Sequence, residues 1–117
     1  MADEKNFENK IKNFLDEQGC WYVKYFANAY TKKGIPDLLC CVNGYFLAIE
    51  VKAENGKPSD LQKWNVSKIR HCGGHAFILK PSQFESFCKL VKELKAKGTQ
   101  SVYIDTKDFR NLYGLKE

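Results

Sequence analysis

The sequence predicts a single α/β (α+β) domain over residues 1–117, with a mixed central sheet flanked by helices. Three observations carry this expectation. Asn43-Gly44 sits between two apolar runs, Leu38–Val42 and Tyr45–Ile49. That is the strongest short-range hairpin signal, because a type I′ turn needs positive φ at both central residues. Stretches with helical apolar spacing alternate with extended apolar runs, in the order α-β-β-β-α-β-α. The chain has 117 residues, 44% of them hydrophobic, which is enough for one core. Only three prolines, no repeat and no low-complexity tract argue for an ordered fold.

The first helix is expected from about Asp3 to Gln18, where Phe7, Ile11, Phe14 and Leu15 form one apolar stripe ended by Gly19. Trp21 to Ala29 reads as an aromatic-rich strand, followed by a polar connection, Asn28 to Gly34, that carries Lys32 and Lys33. The hairpin strands come next. They are almost continuously apolar, which predicts burial on both faces. Ala53 to Pro58 is a loop, and Ser59-Asp60-Leu61-Gln62 opens a helix to about Cys72. Ser59 and Gln62 have the spacing of a capping box. Gln62 also lines up with Val66 and Ile69, so it faces inward, and Trp64 is expected in the core. Gly73-Gly74 leads into a short strand, His75 to Leu79. Ser82 and Glu85 read as the capping box of the last long helix, which buries Phe84, Phe87, Cys88, Val91 and Leu94 and stops at Gly98. Its Glu85–Lys89 and Glu93–Lys97 pairs mark a solvated face. Beyond it, an edge strand over Ser101 to Ile104 and a short helix from Asp105 through Leu112 are expected, with Phe109, Leu112 and Tyr113 packing on the body or on a second subunit.

The net charge of +5 suits a polyanionic partner without identifying one. Cys20, Cys40, Cys41, Cys72 and Cys88 contain no CxxC pair, and adjacent strand residues Cys40 and Cys41 point to opposite faces. That excludes a thiolate zinc site and predicts reduced core thiols. His71 and His75 lack ligand spacing and read as solvated or core residues. The N-terminus has no apolar leader and no stretch is long enough to span a bilayer, so a soluble intracellular protein is expected.

The two-residue turn sets the hairpin register. Val42 faces Tyr45, Cys40 faces Leu47, Leu38 faces Ile49, and Asp37 therefore faces Glu50. Opposed strand residues have Cβ atoms about 5 Å apart, and like charges there repel. Lys52, two positions past Glu50, projects from the same face. Two carboxylates and an ammonium thus converge at the end of an apolar hairpin. A hard divalent cation such as Mg²⁺ would remove the repulsion. The plainer alternative makes Asp37 a turn residue after Pro36, and Glu50 with Lys52 a solvated strand end.

Gly34-Ile35-Pro36-Asp37, then Glu50-Val51-Lys52 across a hairpin, resembles the PD-(D/E)XK nuclease signature. With Pro58-Ser59-Asp60-Leu61-Gln62-Lys63-Trp64 downstream, the form is similar to the VRR-NUC branch, and the resemblance runs from about Phe7 to Phe87. It implies a restriction-endonuclease-like α-β-β-β-α-β core and metal-assisted phosphodiester hydrolysis. Asp37, Glu50 and the Val51 carbonyl would hold Mg²⁺ or Mn²⁺. Lys52 would orient or activate water or stabilise transition-state charge, and Glu8 on the first helix and Gln62 would assist. The bland reading of Glu8 is a first-turn acid favoured by the helix dipole. Small stand-alone members of that branch are associated with Holliday-junction or other branched-DNA cleavage. The resemblance therefore implies a DNA partner, a homodimer and the cytoplasm of a bacterial or phage-infected cell. Lys32, Lys33 and Lys57 are candidate phosphate contacts, with solvated loop lysines as the alternative, and Lys24, inside the strand, is a further candidate. Two rival functions stay open: a catalytically silent DNA-binding module, and a nuclease for flaps, ends or RNA.

Overall fold

The structure, a computed structural model, describes residues 2–98. Helix α1 (Ala2–Glu17) leads into strands β1 (Trp21–Lys24), β2 (Leu38–Val42) and β3 (Tyr45–Val51). Helix α2 (Asp60–His71), strand β4 (His75–Leu79), a 3₁₀ turn (Pro81–Gln83) and helix α3 (Phe84–Ala96) follow. The expected edge strand at Ser101–Ile104 and the helix beyond it lie outside the described residues.

The sheet order is β1-β2-β3-β4, antiparallel except for the parallel β3–β4 pair, which α2 connects. This is the mixed sheet flanked by helices that the sequence predicts. The hairpin register also holds: Leu38 pairs with Ile49, Cys40 with Leu47 and Val42 with Tyr45. Asn43 (φ 53°) and Gly44 (φ 88°) both take the positive φ of the turn. The Asn43 side chain also donates to the Leu94 and Lys95 carbonyls, tying the hairpin tip to the end of α3.

Two apolar layers sandwich the sheet. On one face Phe7, Ile11 and Leu15 of α1 and Phe87, Val91 and Leu94 of α3 bury Leu38, Cys40, Val42, Leu47, Ile49 and Val51. On the other, Val66 of α2 packs on Ala48 and Ala76, with Leu39, Ile69 and Ile78 partly covered. This second layer is narrower than the sheet, and three expectations about burial are corrected. Burial on both faces holds for β3 from Leu47 to Val51, but Cys41 of β2 is exposed and Phe46 is 45% exposed. Trp64 is not core; it is 56% exposed on the outer side of α2. Of the five free thiols only Cys40 is fully buried, and burial pushes it up to about 12.

Strand β1 is also shorter than Trp21–Ala29. Its pairing ends when Tyr25 N–H reaches the Asp37 carbonyl at 2.8 Å. Beyond that the chain bonds to itself: Asn28 Oδ1 accepts from Tyr30 N–H and Thr31 Oγ1 from Asn28 N–H, both at 2.7 Å. Such local side-chain bonds offer the backbone an alternative to a ladder. The Ser82–Glu85 capping box is absent as well. Ser82 instead donates its N–H (2.9 Å) and hydroxyl (2.8 Å) to the Glu54 carboxylate, and α3 begins at Phe84 after the 3₁₀ turn.

Candidate active site

The site lies where β2 begins and β3 ends. Asp37 precedes β2, Glu50 and Val51 close β3, and Lys52 follows it, its N–H bonded to the Leu79 carbonyl at 3.0 Å. Asp37 Oδ2 accepts the Val51 N–H at 2.8 Å, so the acid is fixed by the backbone of the strand that carries the second acid. Glu50 is 2% exposed. Burial pushes its carboxyl up to about 8, the negative charge and hydrogen bond of Asp37 add to this, and Lys52 opposes it. The Lys52 ammonium is 3.7 Å from Glu50 Oε2. The structure thus brings Asp37, Glu50 and Lys52 together as the turn register requires.

Helix α2 supplies the next group. Gln62 Oε1 accepts the Ser59 N–H at 2.8 Å, and the Ser59 hydroxyl accepts the Gln62 N–H at 3.1 Å. The same side chain donates Nε2–H to Glu50 Oε2 at 3.2 Å. Capping and site contact therefore coexist in one residue, because the amide's oxygen and nitrogen point to different partners.

Glu8 reaches the site from α1, but through lysines. Its carboxylate pairs with Lys12 at 3.0 Å and with Lys24 of β1 at 2.5 Å, and Lys24 also lies 3.4 Å from Asp37 Oδ1. Burial pushes the Glu8 carboxyl up, yet the bonds and charges of Lys24 and Lys12 outweigh it and hold it below the ordinary range. Lys24 is thus an internal partner of the acids as well as a candidate phosphate contact. Lys32, Lys33 and Lys57 are exposed on loops, with Lys32 held through its carbonyl by the Tyr25 hydroxyl at 2.7 Å.

Sequence reasoning missed why the loop before Asp37 starts with glycine. Gly34 has φ +76°, and a Cβ there would lie 2.6 Å from Leu61 Cγ and 2.9 Å from Asn65 Nδ2. The loop bearing Asp37 is thereby pressed onto the helix bearing Gln62. Asn65 is buried and donates to the Leu61 carbonyl at 3.0 Å, which keeps that contact flat. The positive φ has a sequence signal in the glycine itself; the close approach has none.

Among the described residues no group of three or more His, Cys, Asp or Glu side chains is placed to hold a metal. The donor set that fits a hard cation is smaller: the Asp37 and Glu50 carboxylates, with main-chain oxygen beside them. A buried carboxyl raised by its neighbour's charge is what such a cation would relieve.

A mixed sheet of this order, with an acid before β2 and Glu-x-Lys at the end of β3, defines the PD-(D/E)XK nuclease class. The family model described as archaeal Holliday junction resolvase (Hjc) matches residues 2–116, and the chain belongs to that family. The family lies within the PD-(D/E)XK superfamily, so a nuclease that handles DNA is implied. No curated protein matches the chain.

Proposed function

We propose that this protein is a metal-dependent endonuclease that cleaves branched DNA, Holliday junctions above all. The observation that carries the proposal is the Asp37–Glu50 pair at a strand end, where Glu50 is buried and Lys52 and Gln62 both reach its carboxylate. Retaining two acids in contact costs stability unless something uses them. Asp37, Glu50 and the Val51 carbonyl would hold Mg²⁺ or Mn²⁺, and the family membership supports a divalent ion. When bound, that ion supplies charge stabilisation at the phosphate and makes water easier to ionise.

The chain's own residues do the rest. The Val51 N–H holds Asp37 in one rotamer, and the Gln62 amide holds Glu50. Lys52 sets a positive charge beside the acids, where it stabilises the anionic transition state or orients the attacking water. Exposed Lys32, Lys33 and Lys57 supply phosphate contacts around the site. The Gly34–Asp37 motif and the Pro58–Trp64 stretch further support a VRR-NUC-like variant within the superfamily, of the kind associated with phages and bacteria.

The test is cleavage of a labelled four-way junction beside duplex, flap and single-stranded controls, with Mg²⁺, Mn²⁺ or EDTA. Metal-dependent paired cuts, lost in Asp37→Asn and Lys52→Ala, are the expected result. Cutting confined to flaps or ends would remove the junction preference and leave the site standing. Tight junction binding without cleavage in either metal would make the protein a binding module.

A further inference from the structure

We infer that Lys24 is the chain's own counter-ion for the carboxylates of Glu8 and Asp37, and that a divalent cation loads by taking Asp37 from it. This rests on the reading of the site as a metal-assisted nuclease.

Three carboxyl groups meet here, Glu8, Asp37 and Glu50, and three ammoniums lie against them, Lys12, Lys24 and Lys52. Every acid already has a cation: Glu8 at 3.0 and 2.5 Å, Asp37 at 3.4 Å and Glu50 at 3.7 Å. A doubly charged ion approaching Asp37 must displace positive charge, since two cations against one carboxylate oxygen repel. On Asp37 the choice of oxygen is narrow. Oδ2 takes the Val51 N–H, and Oδ1 faces Lys24. Among the described residues no other ammonium pairs with Asp37.

Lys24 can leave Asp37 without being stranded. Its shorter contact is to Glu8, which stays as its partner. Burial pulls the ammonium down, but the Glu8 hydrogen bond and the Asp37 charge more than offset it, so the group stays charged. Glu8 thus acts as the dock of the displaced lysine, and Lys24 is a positioning residue that sets metal affinity.

The readout is Mn²⁺ binding to the DNA-free protein by calorimetry, not cleavage. Lys24→Met keeps the apolar stem and removes the charge. It should bind Mn²⁺ about tenfold tighter than the wild type, while Lys24→Arg stays near it. In the wild type, Mg²⁺ titration should move the Lys24 ε-methylene NMR resonance with the same saturation curve as binding; this needs no variant to fold. Unchanged Mn²⁺ affinity in a folded Lys24→Met, or an unmoved Lys24 resonance at saturating Mg²⁺, overturns the inference. Asp37→Asn separates the two levels. If it abolishes binding while Lys24→Met changes nothing, the metal site stands and the counter-ion role fails. If wild-type protein binds neither ion, both fail together.

Discussion

Glu50 is a carboxyl group held almost entirely out of water, 2% exposed. Its pKa in the fold lies above that of the unfolded chain, first through burial and then through Asp37. The protonated form is therefore the one the metal-free fold favours. Its contribution is complete below the ordinary carboxylate range and is lost as pH rises through about 8. Without metal, the melting temperature should fall between pH ~5 and 8, and Glu50→Gln should flatten that slope. Mg²⁺ should raise the melting temperature more at the upper end of this window, because binding needs the ionised acid and expels its proton. Thermal melts across pH, with Mg²⁺ or EDTA, check both. Glu8 works in the opposite sense. Its carboxyl is held low by Lys24 and Lys12 against the pull of burial, so its contribution is present at neutral pH and disappears in acid.

At the scale of elements, α2 ties its own N-cap to the Glu50 carboxylate through one side chain, Gln62. Ser59→Ala removes the cap and should cost about 1 kcal/mol of stability, with cleavage largely kept, because Gln62 still reaches Glu50. Gln62→Ala removes one half of the capping box and the Glu50 contact together. It should lower the cleavage rate well beyond what its loss of stability explains. Urea melts beside single-turnover cleavage separate the two effects, and equal rate losses in the two variants would make Gln62 a cap and nothing more. The loop after Lys52 is held in a similar way. Glu54 accepts two bonds from Ser82, joining the segment after β3 to the turn that starts α3.

For the whole molecule, one candidate site among the described residues sets the problem. A four-way junction is resolved by two symmetric cuts, and a two-fold homodimer is the simplest way to present two sites. We expect a dimer, alone or on junction DNA, by light scattering. A monomer under both conditions would count heavily against paired cleavage.

Much of this was legible in the sequence because its determinants are local. The Asn43-Gly44 turn sets a register, and the register alone puts Asp37 opposite Glu50 with Lys52 beside them. Apolar spacing likewise located α1, α2, β4 and the buried face of α3. What failed was whatever depended on the width of a layer. Cys41 and Phe46 carry the apolar chemistry of a core, but α2 is too narrow to cover that side of the sheet, and Trp64 lies on the exposed side of α2 itself. Ser82 has a capping residue's chemistry, yet Glu54, twenty-eight positions away, claims it. Lys24 gave the least warning. Within β1 it is one lysine among aromatics, and only the packing of α1 against the sheet places Glu8 and Asp37 on either side of it. Turn geometry and periodicity act between near neighbours, so the chain itself determined the carboxylate pair and its lysine. Which distant charges meet that pair is a property of packed elements, and the tertiary structure alone decided it.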